Sequence, residues 1–90
     1  MNMTPDIDFV LRVNIMNVLI ECRKAKGLTQ EQLANKIGSK KTTVASWEQG
    51  KSLPDLTTLY ALSKFYSIRL EDFFEGKSIK NEGGVSNGTV

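Results

Sequence analysis

The sequence predicts an all-α fold, centred on two short helices and a tight turn at residues 30–49. Two short segments with helical apolar spacing flank Gly38, a residue that can take the positive φ of a tight helix-ending turn. Apolar stripes at the same spacing precede and follow this pair, near residues 9–26 and 55–66. Ninety residues correspond to one small domain, and 40% apolar content is enough for a compact core.

The composition argues against an enzyme. The sequence contains no histidine and no glycine-rich phosphate loop, so we expect no catalytic residues, metal site, cofactor or small-molecule ligand. The carboxylates Glu71, Asp72 and Glu75 lie beside one another on a predicted surface helix and need no catalytic explanation. The single cysteine, Cys22, falls in an apolar stripe, which predicts a buried core thiol.

The same composition indicates where the protein works. One cysteine cannot form an intrachain disulfide, which favours a reduced compartment. No apolar run approaches the roughly 18–20 residues that span a bilayer, and the N-terminus does not have the pattern of a signal peptide. We therefore expect a cytoplasmic protein without a membrane partner.

The positive charge is concentrated in one part of the chain. The net charge is only +2, but residues 23–51 carry seven lysines and arginines against Glu31 and Glu48, a net +5. Residues 1–22 and 52–75 each carry a net −2. A solvated basic face would explain such a cluster, but its coincidence with the two short helices favours a surface that faces phosphates.

The first helix is predicted from about Phe9 to Lys26, after a flexible N-terminus at residues 1–8, with Asp6 or Asp8 as its N-cap. Its core-facing stripe consists of Ile15, Val18, Leu19 and Cys22. The segment 9–13 adds apolar residues that a small domain of this type does not need. They either extend the core or form a contact between subunits.

The second and third helices form the central motif. Thr29 and Gln32 have the spacing of a capping box, and Leu33, Ala34 and Ile37 share one face. After the turn at Gly38 and Ser39, with Ser39 or Lys40 as the cap, the third helix is predicted at about residues 41–49. Val44 and Trp47 hold it to the core. Its opposite face is small and polar and consists of Thr42, Ala45, Ser46 and Gln49. A polar face with a basic N-terminus is typical of helices that contact bases in the major groove.

Two further segments close the predicted domain. Asp55 is the expected N-cap of the fourth helix, whose stripe is Leu59, Leu62, Phe65 and Tyr66. Residues 67–76 follow, with Phe73 and Phe74 as core or subunit contacts. Residues 76–90 are rich in Gly, Ser and Asn without periodicity, which predicts a disordered tail. The domain is thus expected at residues 9–75.

The small Ala34, the Gly38 turn and apolar residues at 33, 37, 44 and 47 resemble the helix-turn-helix of the lambda-repressor-like family, the Cro/C1-type or XRE class. The resemblance covers about residues 15–75 and implies a five-helix DNA-binding domain. One departure is Ser67, which stands where a helix-ending glycine is common in the family.

The resemblance also implies roles for individual residues. Positions that match base contacts are Lys41, Thr42 and Ser46. Positions that match phosphate contacts are Gln30, Lys40 and Thr43, and Lys51 or Ser52 is expected to join them. Arg23 and Glu48 match an ion pair that supports the fold beneath the DNA-facing surface. None of the three base-contact positions is Arg, Asn or Gln, so modest specificity or dependence on DNA shape is a reasonable hypothesis.

These observations predict a small sequence-specific regulator, with a repressor favoured, that binds an inverted-repeat operator in double-stranded DNA as a homodimer. An activator and an antitoxin have the same sequence features. The alternative from another class is a protein-interaction adaptor on the same fold. An adaptor would not need the basic cluster on the third helix and would be expected to show a large apolar patch there.

Overall fold

The computed structural model describes residues 6–77, which form five α-helices and contain no strand. The helices are α1 (Ile7–Ala25), α2 (Gln30–Ile37), α3 (Lys41–Glu48), α4 (Leu56–Tyr66) and α5 (Leu70–Glu75). The all-α, five-helix prediction is therefore confirmed within this range. The predicted tail at residues 76–90 lies outside the described residues apart from Gly76 and Lys77, as do residues 1–5 of the predicted flexible N-terminus.

The first helix is long, at 19 residues, and begins two residues earlier than predicted. Its start is fixed by Asp6, whose carboxylate accepts hydrogen bonds from the backbone N–H groups of Asp8 at 3.1 Å and Phe9 at 3.4 Å. The helix ends at Ala25, with Arg23 and Lys24 in its last turn, where cations interact favourably with the helix dipole.

The central pair of helices has the predicted caps. Thr29 Oγ1 accepts a hydrogen bond from Gln32 N, and Gln32 Oε1 accepts one from Thr29 N, which completes a capping box. Gly38 ends α2 in the left-handed region, at a φ of 72°. Lys40 precedes α3 without a side-chain cap bond. The predicted end of α3 at Gln49 is one residue late, because Gln49 is the C-cap.

Asp55 and Ser67 mark the ends of α4. The Asp55 carboxylate accepts a hydrogen bond from Thr58 N at 2.8 Å, and hydrogen bonding to Thr58 lowers the pKa of Asp55. Ser67 adopts a φ of 57°, so a side chain occupies the left-handed position that glycine usually takes after a helix. The departure from the family pattern is thus accommodated without a change in the turn.

One core unites the helices. It contains apolar side chains from all five: Ile15, Val18, Leu19, Cys22, Leu33, Ala34, Val44, Trp47, Leu59, Leu62, Tyr66 and Phe73. The predictions that Trp47 and Cys22 are core residues are confirmed. Helix α5 packs against α1, where Asn14 Nδ2 donates a 2.6 Å hydrogen bond to the Phe74 carbonyl. Helix α1 also contacts α3, and α3 contacts α2, so α1 connects the helix-turn-helix to α5.

Candidate nucleic-acid interface

The turn between α2 and α3 is tight. The Ala34 carbonyl accepts hydrogen bonds from Gly38 N and, at 2.8 Å, from Ser39 N. Ala34 itself is buried, as expected for a small side chain where two helices lie against each other. From α3, Val44 and Trp47 are buried in the core. Helix α3 is therefore held by its apolar side, which leaves its opposite face at the surface.

A buried network ties the end of α3 to α1 and α2. Arg23 donates to both oxygens of the Glu48 carboxylate, from Nε at 2.7 Å and Nη2 at 3.0 Å. Its Nη1 also donates to the Leu28 carbonyl at 2.7 Å. The two side chains are only 13% and 5% exposed. The hydrogen bond to Glu48 raises the pKa of the Arg23 guanidinium, which therefore stays charged.

Gln30 belongs to the same network. Its Nε2 donates to Glu48 Oε1 at 3.0 Å, and its side chain is half-buried at the N-terminus of α2. One of its two amide hydrogens is thus engaged with Glu48, and one remains for an outside acceptor. The bond holds Gln30 in place beside the end of α3.

The predicted base-contact residues differ in exposure. Lys41 and Thr42 are exposed in the first turn of α3. Ser46 is half-buried, and its hydroxyl lies 2.7 Å from the hydroxyl of Ser52. The structure thus presents Lys41 and Thr42 freely to the surface, whereas Ser46 already has a partner within the protein.

The predicted phosphate-contact residues flank this surface. Lys40 is exposed immediately before α3, and Thr43 is half-buried in its first turn. Lys51 is exposed in the loop at residues 49–55, where its N–H donates to the Ser46 carbonyl at 3.0 Å. Lys40 and Thr43 thus lie at the N-terminal end of α3, and Lys51 lies just beyond its C-terminal end.

The net positive charge of residues 23–51 lies on exposed side chains. Glu48 and Arg23 neutralise each other inside the protein, so the net +5 is carried by the remaining lysines and Glu31. Lys36, Lys40, Lys41 and Lys51 are exposed. A surface with these properties attracts phosphates, and the attraction weakens as salt is added.

The large hydrophobic side chains that are exposed within residues 6–77 lie elsewhere. Ile7 and Phe9 are on α1, and Leu56 and Tyr60 are on α4. None is on α3, where an adaptor was expected to carry an apolar patch. Within the described range, no helix is long and apolar enough to cross a membrane, and no group of three His, Cys, Asp or Glu side chains could hold a metal ion.

Sequence patterns did not indicate three of these contacts: Ser46 with Ser52, Gln30 with Glu48, and Arg12 with the loop at 49–55. Arg12 Nη1 lies 3.5 Å from the Gly50 carbonyl and 3.4 Å from the Lys51 carbonyl. Its partners are nearly forty residues away in the chain, so only the folded structure brings them together.

Comparison with known proteins identifies the fold. Residues 19–73 match the family model described as helix-turn-helix. The chain is 36% identical over 61 residues to the HTH-type transcriptional activator BcrR of Enterococcus faecalis. The matched region covers 68% of this chain and 30% of BcrR. It is 39% identical over 54 residues to an uncharacterized HTH-type transcriptional regulator of Archaeoglobus fulgidus. This second match covers 60% of this chain and 77% of that protein.

A second archaeal relative, the HTH-type regulator MJ0272 of Methanocaldococcus jannaschii, is 38% identical over 58 residues, or 64% of this chain and 88% of that protein. This chain thus spans most of the length of the archaeal relatives but only 30% of BcrR. No solved structure matches. With the family model covering more than half of the sequence, this chain belongs to the helix-turn-helix family of transcriptional regulators, in its Cro/C1-type (XRE) class.

Proposed function

We propose that this protein is a sequence-specific transcriptional regulator that inserts α3 into the major groove of operator DNA. The observation that carries the proposal is the division of α3: Val44 and Trp47 are buried, while Lys41 and Thr42 are exposed at its N-terminus. A helix with its N-terminal side chains free and its other face fixed matches the docking geometry of helix-turn-helix proteins.

The side chains limit which bases α3 recognises. The Lys41 ammonium suits the O6 and N7 acceptors of guanine, and the Thr42 methyl group suits the C5-methyl of thymine. Ser46 contributes a hydroxyl whose orientation is constrained by Ser52. With no bidentate pair among these three residues, part of the discrimination comes from the shape of the DNA.

Phosphate contacts come from residues around α3. Lys40 and Lys51 are exposed cations, and Thr43 offers a hydroxyl beside them. Gln30 contributes its remaining amide hydrogen and the N-terminus of α2, where the helix dipole favours an anion. Such contacts set the position of the protein on the duplex without specifying its sequence.

We further propose that the protein acts in the cytoplasm as a homodimer on an inverted repeat. One copy of α3 covers one half-site, and two copies related by a two-fold axis double the contact at half-site centres about 10 base pairs apart. Ile7 and Phe9 on α1 are 58% and 63% exposed and provide the subunit contact. Repression follows directly, because a dimer seated on a promoter excludes other proteins from it.

The test is selection of bound fragments from a random duplex library at about 0.15 M salt, with the Thr42→Ala/Ser46→Ala variant in parallel. The wild type is expected to enrich an inverted repeat, and the variant is expected to lose that preference. If the wild type enriches nothing and its binding disappears steeply with salt, only the charge contacts DNA, and the adaptor hypothesis becomes the better one.

A further inference from the structure

Arg12 connects the first half of α1 to the loop that follows α3. Its Nη1 faces two backbone carbonyls of that loop, those of Gly50 and Lys51, at 3.5 and 3.4 Å. Its Nε donates to Asp8 Oδ2 at 2.9 Å, one turn earlier in α1. Asp8 thus orients the guanidinium, and the guanidinium contacts the loop. Both residues precede the region that matches the family model, residues 19–73.

The location of these carbonyls explains the interaction. They lie just beyond the C-terminus of α3, where the helix dipole places partial negative charge. The planar guanidinium binds Asp8 through Nε and faces the loop carbonyls through Nη1 at the same time, whereas an ammonium has no second, fixed donor nitrogen. Arg12 therefore suits this position for its geometry as well as its charge.

An apolar groove lies beside this connection. Between the start of α1 and the end of α3, the structure contains an open, mostly apolar groove of about 230 Å³. Phe9, Val13 and Met16 line one side, and Gln49 and Gly50 line the other. Arg12 also lines this groove, and its polar contacts hold the loop beside α1 together with Met16, whose sulfur lies close to Gly50.

The loop itself carries a proposed phosphate contact. Lys51 is exposed, its N–H donates to the Ser46 carbonyl at 3.0 Å, and its carbonyl faces Arg12. The backbone of Lys51 is thus held from α3 on one side and from α1 on the other. A side chain on a fixed backbone loses less conformational freedom when it binds.

We propose that Arg12 is a positioning residue that fixes the loop at residues 49–55 so that Lys51 reaches a DNA phosphate. This inference rests on the proposed DNA-binding function. It assigns Arg12 a role through the carbonyls of Gly50 and Lys51 rather than through a phosphate contact of its own.

The experiment measures how binding depends on salt, with a labelled random-sequence duplex of about 30 base pairs, long enough for two half-sites. The slope of log K against log salt is negative, and loss of one phosphate contact decreases its steepness by about 0.9. We expect this decrease in Arg12→Gln, in Lys51→Gln and in the double variant alike. Arg69→Gln, which removes an exposed arginine charge at the start of α5, outside residues 30–49, is the matched control and should keep the wild-type slope.

Three results would overturn the assignment. A decrease of about 1.8 in the double variant would mean that Arg12 binds its own phosphate. A wild-type slope in Arg12→Gln would mean that Arg12 does not act on binding. A wild-type slope in Arg12→Lys would mean that charge alone suffices, because lysine keeps the charge and loses the planar donors.

Hydrogen exchange separates this inference from the proposed function. In Arg12→Gln, the amide of Lys51 should exchange about tenfold faster than in the wild type, while amides in the core keep their rates. Unchanged exchange together with normal wild-type binding would overturn the role of Arg12 alone. Absence of salt-dependent binding by the wild type would overturn the proposed function, and the phosphate role of Lys51 with it.

Discussion

The hydroxyl oxygen of Ser46, on α3, lies 2.7 Å from that of Ser52, in the loop that follows. A serine hydroxyl has one hydrogen and two lone pairs, so Ser46 can bind Ser52 and a base edge together, but only in a restricted orientation. Under the proposed function, Ser52 thus restricts the base contact of Ser46 although it lies outside α3.

We predict that Ser52→Ala weakens binding to the selected operator about fivefold, the equivalent of about 1 kcal/mol for one hydrogen bond. The double variant Ser46→Ala/Ser52→Ala should bind no more weakly than Ser46→Ala, because both substitutions remove the same interaction. Titration of the four proteins against one duplex measures this coupling. Losses that add in the double variant would show that the two hydroxyls act independently.

Glu48→Ala should lower the free energy of unfolding by about 3–5 kcal/mol, because it leaves the Arg23 guanidinium buried without its partner. Thr42→Ala, at an exposed position on the same helix, should change it by less than about 0.5 kcal/mol. Denaturant unfolding of both variants makes the comparison. Equal stabilities would contradict the structural role of the ion pair.

Tyr66→Phe should raise the free energy of unfolding by about 1 kcal/mol. The buried Tyr66 hydroxyl has no hydrogen-bond partner in the described structure, so its removal relieves a desolvation cost. Tyr60→Phe is the matched control. Tyr60 is exposed, so removal of its hydroxyl should leave the free energy of unfolding unchanged. A clear loss of stability in Tyr66→Phe would reveal a bonded hydroxyl.

The same tyrosine gives a prediction for alkaline pH. Burial raises the pKa of the Tyr66 hydroxyl, so folding favours its neutral form. The resulting stabilisation is fully present below the unfolded-state pKa of about 10 and is lost as pH rises towards the higher folded-state pKa. Above pH 10, the wild type should therefore lose stability faster than Tyr66→Phe. Parallel unfolding curves for the two proteins would contradict the raised pKa.

Ser67→Gly should stabilise the protein by about 1 kcal/mol, because a left-handed φ of 57° is costly for serine and not for glycine. Ser67→Ala keeps the costly backbone conformation and should give no gain. Thermal unfolding distinguishes them. An equal rise in both variants would assign the effect to the hydroxyl instead of the backbone.

Phe9→Ser should shift the protein towards the monomer in sedimentation experiments if α1 forms the subunit contact. Tyr60→Ser, at a comparably exposed aromatic on α4, is the control and should leave the association unchanged. The opposite pattern would place the contact on α4.

The parts of the fold that follow from local sequence were predictable. Thr29 with Gln32 and Gly38 mark helix ends through contacts within four residues, and the structure contains both caps. The core positions Val44 and Trp47 follow from helical spacing. The predicted helix ends were less accurate. Asp6 and Asp8 are both suitable N-caps by sequence, and only the backbone conformation shows that Asp6 is the cap.

The contacts around the candidate site depend on tertiary structure. Ser46 meets Ser52 only because the chain turns back after α3, and Arg12 meets Gly50 only because that loop passes beside α1. The helical spacing of residues in the sequence does not indicate contacts of this kind. The partners Arg23 and Glu48 came instead from the family resemblance, which already contains tertiary information.

The exposure of Lys41 and Thr42 has an evolutionary consequence. The residues that stabilise α3 are its buried ones, so under the proposed function substitutions at these two positions alter the preferred operator while folding is preserved. A duplicated gene could therefore acquire a new target through two codon changes. The same freedom makes this pair the natural starting point for redirecting the domain to a chosen DNA sequence.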